Sequence, residues 1–273
     1  MRQVEERYIS LLTDFGFKRI FGTAINKDLL ICFLNSLFDG KQVVKDVSYL
    51  NPEHVGDVYT DRKAIFDVYC EGENGEKFIV EMQNAYQTYF KDRSLFYSTF
   101  PIREQAALLN FDMNEEAFEK EKIRHSVQLC DTATHKVFYD KLEFIYVEIA
   151  KFNKSLEELE TLYDKWLYAL KNLYKLTQRP KELCDKVFDR LFEEAEIAKF
   201  TPQELREYEA SKIAYRDIKN SVDTAKREGI AEGMEKKSHE IAKKMLTKGM
   251  DEATVMEITG LPAELIQQLK AEM

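Results

Sequence analysis

The sequence predicts an α/β unit followed by an all-helical half, and three observations carry that reading. Strand-like hydrophobic runs fall in residues 43–50, 58–83 and 142–150. Helical periodicity flanks them and takes over after residue 153. Breakers are scarce, with 10 Gly and 5 Pro in 273 residues, which excludes collagen-like and linker-dominated chains and favours long helices.

Taken in order, residues 14–38 read as helical. Phe17, Ile20 and Phe21 share a face, and Leu29, Leu30, Phe33, Leu34 and Leu37 recur at helical spacing. Asn26 is placed to cap a second helix and Asp39-Gly40 to stop it. AIFDVYC and KFIVEMQ form two strand-like runs around Asn74-Gly75. Residues 86–110 read as an amphipathic helix, 142–150 as a strand, and 154–176, 181–199 and 202–228 as helices ending by Gly229. KREGIAEGMEKK is Gly-punctuated and reads as a hinge or frayed helix, followed by a helix over 238–247. Two short helices joined at Gly260-Leu261-Pro262 have helix-turn-helix spacing, although few basic residues make a packing or self-association hairpin the simpler reading. The domain expectation is therefore a core over 1–152, a helical region over 153–228, and a hinge with a small helix-turn-helix-like tail over 229–273.

Composition narrows the function. Hydrophobic residues at 44% and charged residues at 33% exclude a wholly disordered chain and a multi-span membrane protein. Lys and Arg number 40 against 49 Asp and Glu, a net charge of −9, and neither half forms a basic arm. A sequence-independent DNA coat protein is basic, so contact with nucleic acid here requires a local patch or cations bridging carboxylates to phosphates. The four cysteines (Cys32, Cys70, Cys130, Cys184) form no CxxC pair and the four histidines are scattered, which argues against a zinc ribbon. Reduced, mostly buried thiols and a cytoplasmic protein are expected. The charged MRQVEERYIS start lacks a signal-peptide core.

The hairpin can be put in register by its pattern. With a three-residue loop, Glu73-Asn74-Gly75, residues whose numbers sum to 148 pair, and Phe66, Val68, Cys70, Phe78, Val80 and Met82 make one wholly apolar face. A two-residue loop would mix polar and apolar groups on both faces. The chosen register sets Asp67 directly opposite Glu81, with Gln83 on the same face. Opposed carboxylates repel, and a divalent cation removes that cost; oxygen-only ligands suit Mg²⁺ or Mn²⁺. A solvated face with incidental acids stands beside this reading at equal weight. Tyr8, Phe15, Phe17, Phe21 and Trp166 read as core, and Glu148 with Lys151 as a structural ion pair.

Asp67, a hairpin and then Glu81-Met82-Gln83 resembles the D…(D/E)xK site of PD-(D/E)XK nucleases in an ExQ form. LLTDFGFKRIFG (11–22), DLLICFLNSLF (28–38), RKAIFDVYCEGENGEKFIVEMQ (62–83), YFKDRSLFYSTFPIREQ (89–105), FIYVEIAKF (144–152), YEAS (208–211) and MEITGLPAELIQQL (256–269) resemble the Rpn family of recombination-promoting nucleases, the PD-(D/E)XK nuclease family transposases. The resemblance implies a restriction-endonuclease-like core, a mixed sheet flanked by helices, that cleaves DNA with Mg²⁺ or Mn²⁺ and promotes recombination or mobile-element transfer. It implies Asp67 and Glu81 as metal ligands and Gln83 in the usual Lys place. It also implies Asp14 on the first helix near the metal or its water, and Gln105 at a polar position on the following helix. Lys18, Arg62, Lys63, Lys91 and Arg93 become candidate phosphate contacts. Two departures follow. Gln83 is neutral and cannot offset transition-state charge as Lys would. After Gln105 the chain runs into AALLNFDMNEE, where family members carry a turn and a core strand, so only 108–111 resembles that strand and part of it is expected to be missing. The alternative function is a catalytically silent DNA-binding or protein-interaction descendant. A homodimer through the helical half is a further expectation.

Overall fold

The structure, a computed structural model, describes residues 6–50, 53–54, 64–65, 67–84, 105–113 and 117–271. Two compact units divide it, residues 1–218 and 219–273.

The first unit opens with α1 (Asp14–Phe21), a 3₁₀ turn (Ala24–Asn26) and α2 (Lys27–Phe38). Thr13 caps α1 by accepting from the Gly16 N–H. Gly16 is required there, because a Cβ would lie 2.1 Å from the Ser10 carbonyl oxygen. Asn26 occupies the N-cap position of α2 but does not cap it; its side chain donates to the Arg19 carbonyl and accepts from Arg190. Asp39 and Gly40, both with positive φ, end α2 as expected.

The strands are β1 (Val47–Tyr49), β2 (Glu53–His54), β3 (Ala64–Ile65), β4 (Val68–Gly72), β5 (Lys77–Gln83), β6 (Gln105–Leu109), β7 (Arg124–Cys130) and β8 (Val137–Glu148). Six form one sheet in the order β1-β4-β5-β6-β8-β7, while β2 and β3 pair separately. β5, β6 and β8 run parallel and the remaining neighbours antiparallel, so the sheet is mixed. The β4–β5 register is the one that the hydrophobic pattern selects, Val68↔Val80, Tyr69↔Ile79, Cys70↔Phe78 and Glu71↔Lys77, closed by Gly75 at φ 81°.

One sheet face (Val68, Cys70, Phe78, Val80, Leu108, Ile145, Val147) packs on Phe17, Phe21, Phe33, Leu37, Trp166 and Phe188 of the helices in a single core. Phe21, Phe33 and Trp166 touch ring to ring at 5.1–5.7 Å. The other face carries two smaller clusters, Tyr69 and Ile79 against Leu50, and Leu109, Met113, Leu142, Phe144 and Tyr146. Beyond Ile79 on this second face come Glu81 and Gln83. At the end of β8, Glu148 is fully buried. It accepts from the Met113 N–H at 2.7 Å and from Lys151 Nζ at 2.9 Å, and lies 3.1 Å from His125 Nε2. The expected Glu148–Lys151 ion pair is therefore present, inside a larger network that closes the sheet end.

Helices α3 (Leu162–Asn172) and α4 (Lys186–Glu194) cover the first face, and α5 (Pro202–Thr247) leaves the unit. In the second unit, Ala242 of α5 packs with Val255 of α6 (Glu252–Thr259) and with Ile266 and Leu269 of α7 (Ala263–Ala271). Asp251 caps α6 by accepting from the Thr254 N–H, and Gly260 turns the chain at φ 70° between the two helices.

Three sequence expectations are corrected. Residues 105–109 are a strand, not the end of a helix over 86–110; residues 86–104 lie outside the described residues. This five-residue strand, β6, is held between β5 and β8 by parallel ladders, which override the helical propensity of Ala and Leu. α5 runs through Gly229 and Gly233 without a hinge: a Cβ at either would meet nothing, and the flanking Lys, Glu and Ala residues favour helix. Cys130 and Cys184 are exposed, so only Cys70 of the four free thiols is buried outright.

Candidate functional site

The site forms where the β4–β5 hairpin meets α1. The ladder ends at Val68↔Val80, and Asp67 sits at a bend just before β4. One Asp67 oxygen, Oδ2, accepts from the Met82 backbone N–H at 2.8 Å, tying the carboxylate to the neighbouring strand. The other, Oδ1, faces Lys18 Nζ at 3.7 Å. The same ammonium binds Asp14 Oδ1 at 2.7 Å, one turn earlier on α1. Lys18 therefore joins the helix acid to the strand acid.

Glu81 lies on β5 at the position facing Asp67 when the register is extended by one pair, and it is only 6% exposed. Two residues on, Gln83 shares that face and is partly exposed. In the parallel direction Glu81 pairs with Ala107, and Gln105 pairs with Ile79 and Phe144. Gln105 is therefore the first residue of a central strand, not a helix residue, in the register row two pairs before Glu81. The sequence candidates Arg62, Lys63, Lys91 and Arg93 lie outside the described residues.

Electrostatics follow from this placement. Burial pushes the Asp67 carboxyl pKa above its ordinary value, against the pull of the Met82 N–H and Lys18. For Lys18, burial opposes the charge, but Asp14 and Asp67 outweigh it and raise the pKa. Asp67 and Glu81 offer only oxygen donors on adjoining strands, a set that fits a hard divalent cation held by two carboxylates. No group of three or more Asp, Glu, His or Cys side chains converges on one point among the described residues.

A hydrogen-bonded frame holds this edge. Asn84, next after Gln83, donates to the Leu12 carbonyl at 2.9 Å, fastening the end of β5 to the loop before α1. Asn110 N–H donates to the Gln83 carbonyl at 2.9 Å, and its amide reaches Tyr215 of α5 at 3.1 Å. From the YEAS stretch, the buried Tyr208 accepts from the Ser10 N–H at 2.9 Å and Ser211 accepts from the Phe15 N–H at 3.0 Å. Sequence reasoning placed YEAS in the resemblance but assigned it no role, and it missed Asn84 and Asn110. Tyr208→Phe leaves the buried Ser10 N–H without an acceptor and should lower stability by about 1–3 kcal/mol, read from the midpoint of urea unfolding.

The fold is a restriction-endonuclease-like core with a helical C-terminal half. The chain belongs to the PD-(D/E)XK nuclease family transposases, whose family model matches residues 11–225. Residues 235–271 match the model of the Rpn/YhgA-like nuclease family C-terminal HTH domain. The helix pair around Gly260 is thus a helix-turn-helix, and the simpler packing-hairpin reading gives way. Neither the curated proteins nor the solved structures include a significant match to the chain.

Proposed function

We propose that this chain is a divalent-metal-dependent DNA endonuclease that hydrolyses phosphodiester bonds and thereby promotes recombination or mobile-element transfer. The observation that carries the reading is the pair of strand carboxylates, Asp67 and Glu81, at adjoining positions beside the α1 acid Asp14. In this reading Asp67 and Glu81 hold Mg²⁺ or Mn²⁺, which supplies Lewis-acid stabilisation of phosphate charge. Asp14 steadies the site from α1. Gln83 orients a water through its side-chain amide, and as a neutral group it adds no charge stabilisation. Gln105 is a polar neighbour one strand over. Lys18 and, outside the described residues, Arg62, Lys63, Lys91 and Arg93 contact phosphates.

The helix-turn-helix unit is the second DNA contact. Self-association through the helical half would bring two sites to the two strands. The four free thiols support a cytoplasmic location. The segment expected to be absent after Gln105 favours the silent-descendant reading, while the parallel ladders of β6 to β5 and β8 support an intact sheet at the site.

Purified protein with supercoiled plasmid tests the proposal. Nicking or linearisation is expected with Mg²⁺ or Mn²⁺, arrest with excess EDTA, and recovery when Mg²⁺ is restored above the chelator. Folded protein that leaves the plasmid untouched under every metal condition overturns the proposal in favour of a binding-only descendant.

A further inference from the structure

We propose that Lys18 is the resident cation of this site, competing with the divalent metal for Asp67 and supplying the positive charge that Gln83 lacks. The inference rests on the nuclease reading and goes beyond it, since that reading gave Lys18 only a phosphate contact. Its ammonium lies 2.7 Å from Asp14 Oδ1 and 3.7 Å from Asp67 Oδ1, between the helix and the hairpin. Thr13 and Ser211 fix the first turn of α1, so Lys18 projects from an anchored base one turn along. Its side chain keeps 40% of its exposure, leaving room for the ammonium to swing off Asp67 without unfolding anything.

The physical consequence has two parts. A cation beside Asp67 repels an arriving divalent ion and occupies one of its oxygens, so the metal binds more weakly than two bare carboxylates would allow. Once displaced from Asp67, the ammonium stays tethered to the site by Asp14. It is then placed against phosphate oxygens, where a positive charge stabilises the transition state. Position 83 carries no such charge, so the helix supplies what the strand does not.

The test compares Mn²⁺ affinity by calorimetry with plasmid cleavage, using the full chain as wild type, Lys18→Met, Lys18→Arg and Asp67→Asn. Lys18→Met is expected to bind Mn²⁺ on the order of tenfold more tightly, yet to cleave at least about tenfold more slowly at saturating Mn²⁺. Lys18→Arg should return both values toward wild type. Unchanged or weaker Mn²⁺ binding by Lys18→Met, with binding abolished in Asp67→Asn, overturns the role of Lys18 while leaving the nuclease reading standing. Mn²⁺ binding unaffected by Asp67→Asn removes the nuclease reading and this inference together.

Discussion

Asp67→Asn and Glu81→Gln should each lower metal-dependent plasmid cleavage by at least about a hundredfold, the scale of losing one strong electrostatic contribution to a transition state. Both substitutions keep shape and polarity, so the loss should appear without unfolding. Asp67 allows a sharper expectation. Burial raises its carboxyl pKa in the folded state. An acid with a raised folded pKa contributes stability below its unfolded pKa, and that stability is lost as pH rises through the folded pKa. Above its folded pKa the ionised Asp67 is thus a net burden on the fold, and there Asp67→Asn should unfold at the same or a higher temperature than wild type. Cleavage lost together with a collapsed melting temperature would mean instead that Asp67 is structural.

Glu148→Ala should destabilise the first unit by about 3–5 kcal/mol, the cost of breaking a buried charged network by removing one partner. Glu148 is fully buried and receives the Met113 N–H and Lys151, with His125 beside it. Alanine leaves the buried Met113 N–H without its acceptor and a largely buried ammonium (15% exposed) with only the exposed Asp112 at 3.4 Å. His125 loses the Glu148 contact but keeps the Lys122 carbonyl at 2.9 Å, and its ring stays stacked on Phe118 at 3.9 Å. Urea unfolding followed by tryptophan fluorescence is a suitable readout, because the single Trp166 lies in the same core. A change below about 1 kcal/mol, the scale of one ordinary hydrogen bond, would show that the network is dispensable.

The hairpin register was legible because one strand face is buried and apolar, so a slip by one residue would have exposed it. α1 and α2 were legible from spacing and from the Asp39-Gly40 stop. The β7–β8 hairpin escaped, because β7 buries little beyond His125 and so shows no alternation, while Val137 and Phe138 of β8 are 50% and 82% exposed. β6 escaped for the opposite reason. Its Ala-Ala-Leu-Leu run has no period, and only the flanking parallel strands make it a strand. At the site, the cross-strand setting of Asp67 and Glu81 could be read from numbering alone. The turn of Asp67 onto the Met82 N–H, the Lys18 link to Asp14, and the fastening of β5 by Asn84 depend on where α1 docks, which local pattern does not encode.

Asp67 and Glu81 are proposed to hold the catalytic metal together. Anomalous diffraction from a Mn²⁺-soaked crystal tests this proposal most directly. A peak is expected about 2 Å from a carboxylate oxygen of each residue, with Lys18 moved off Asp67. Manganese bound only elsewhere, or no peak at Asp67 and Glu81 at millimolar Mn²⁺, would contradict it.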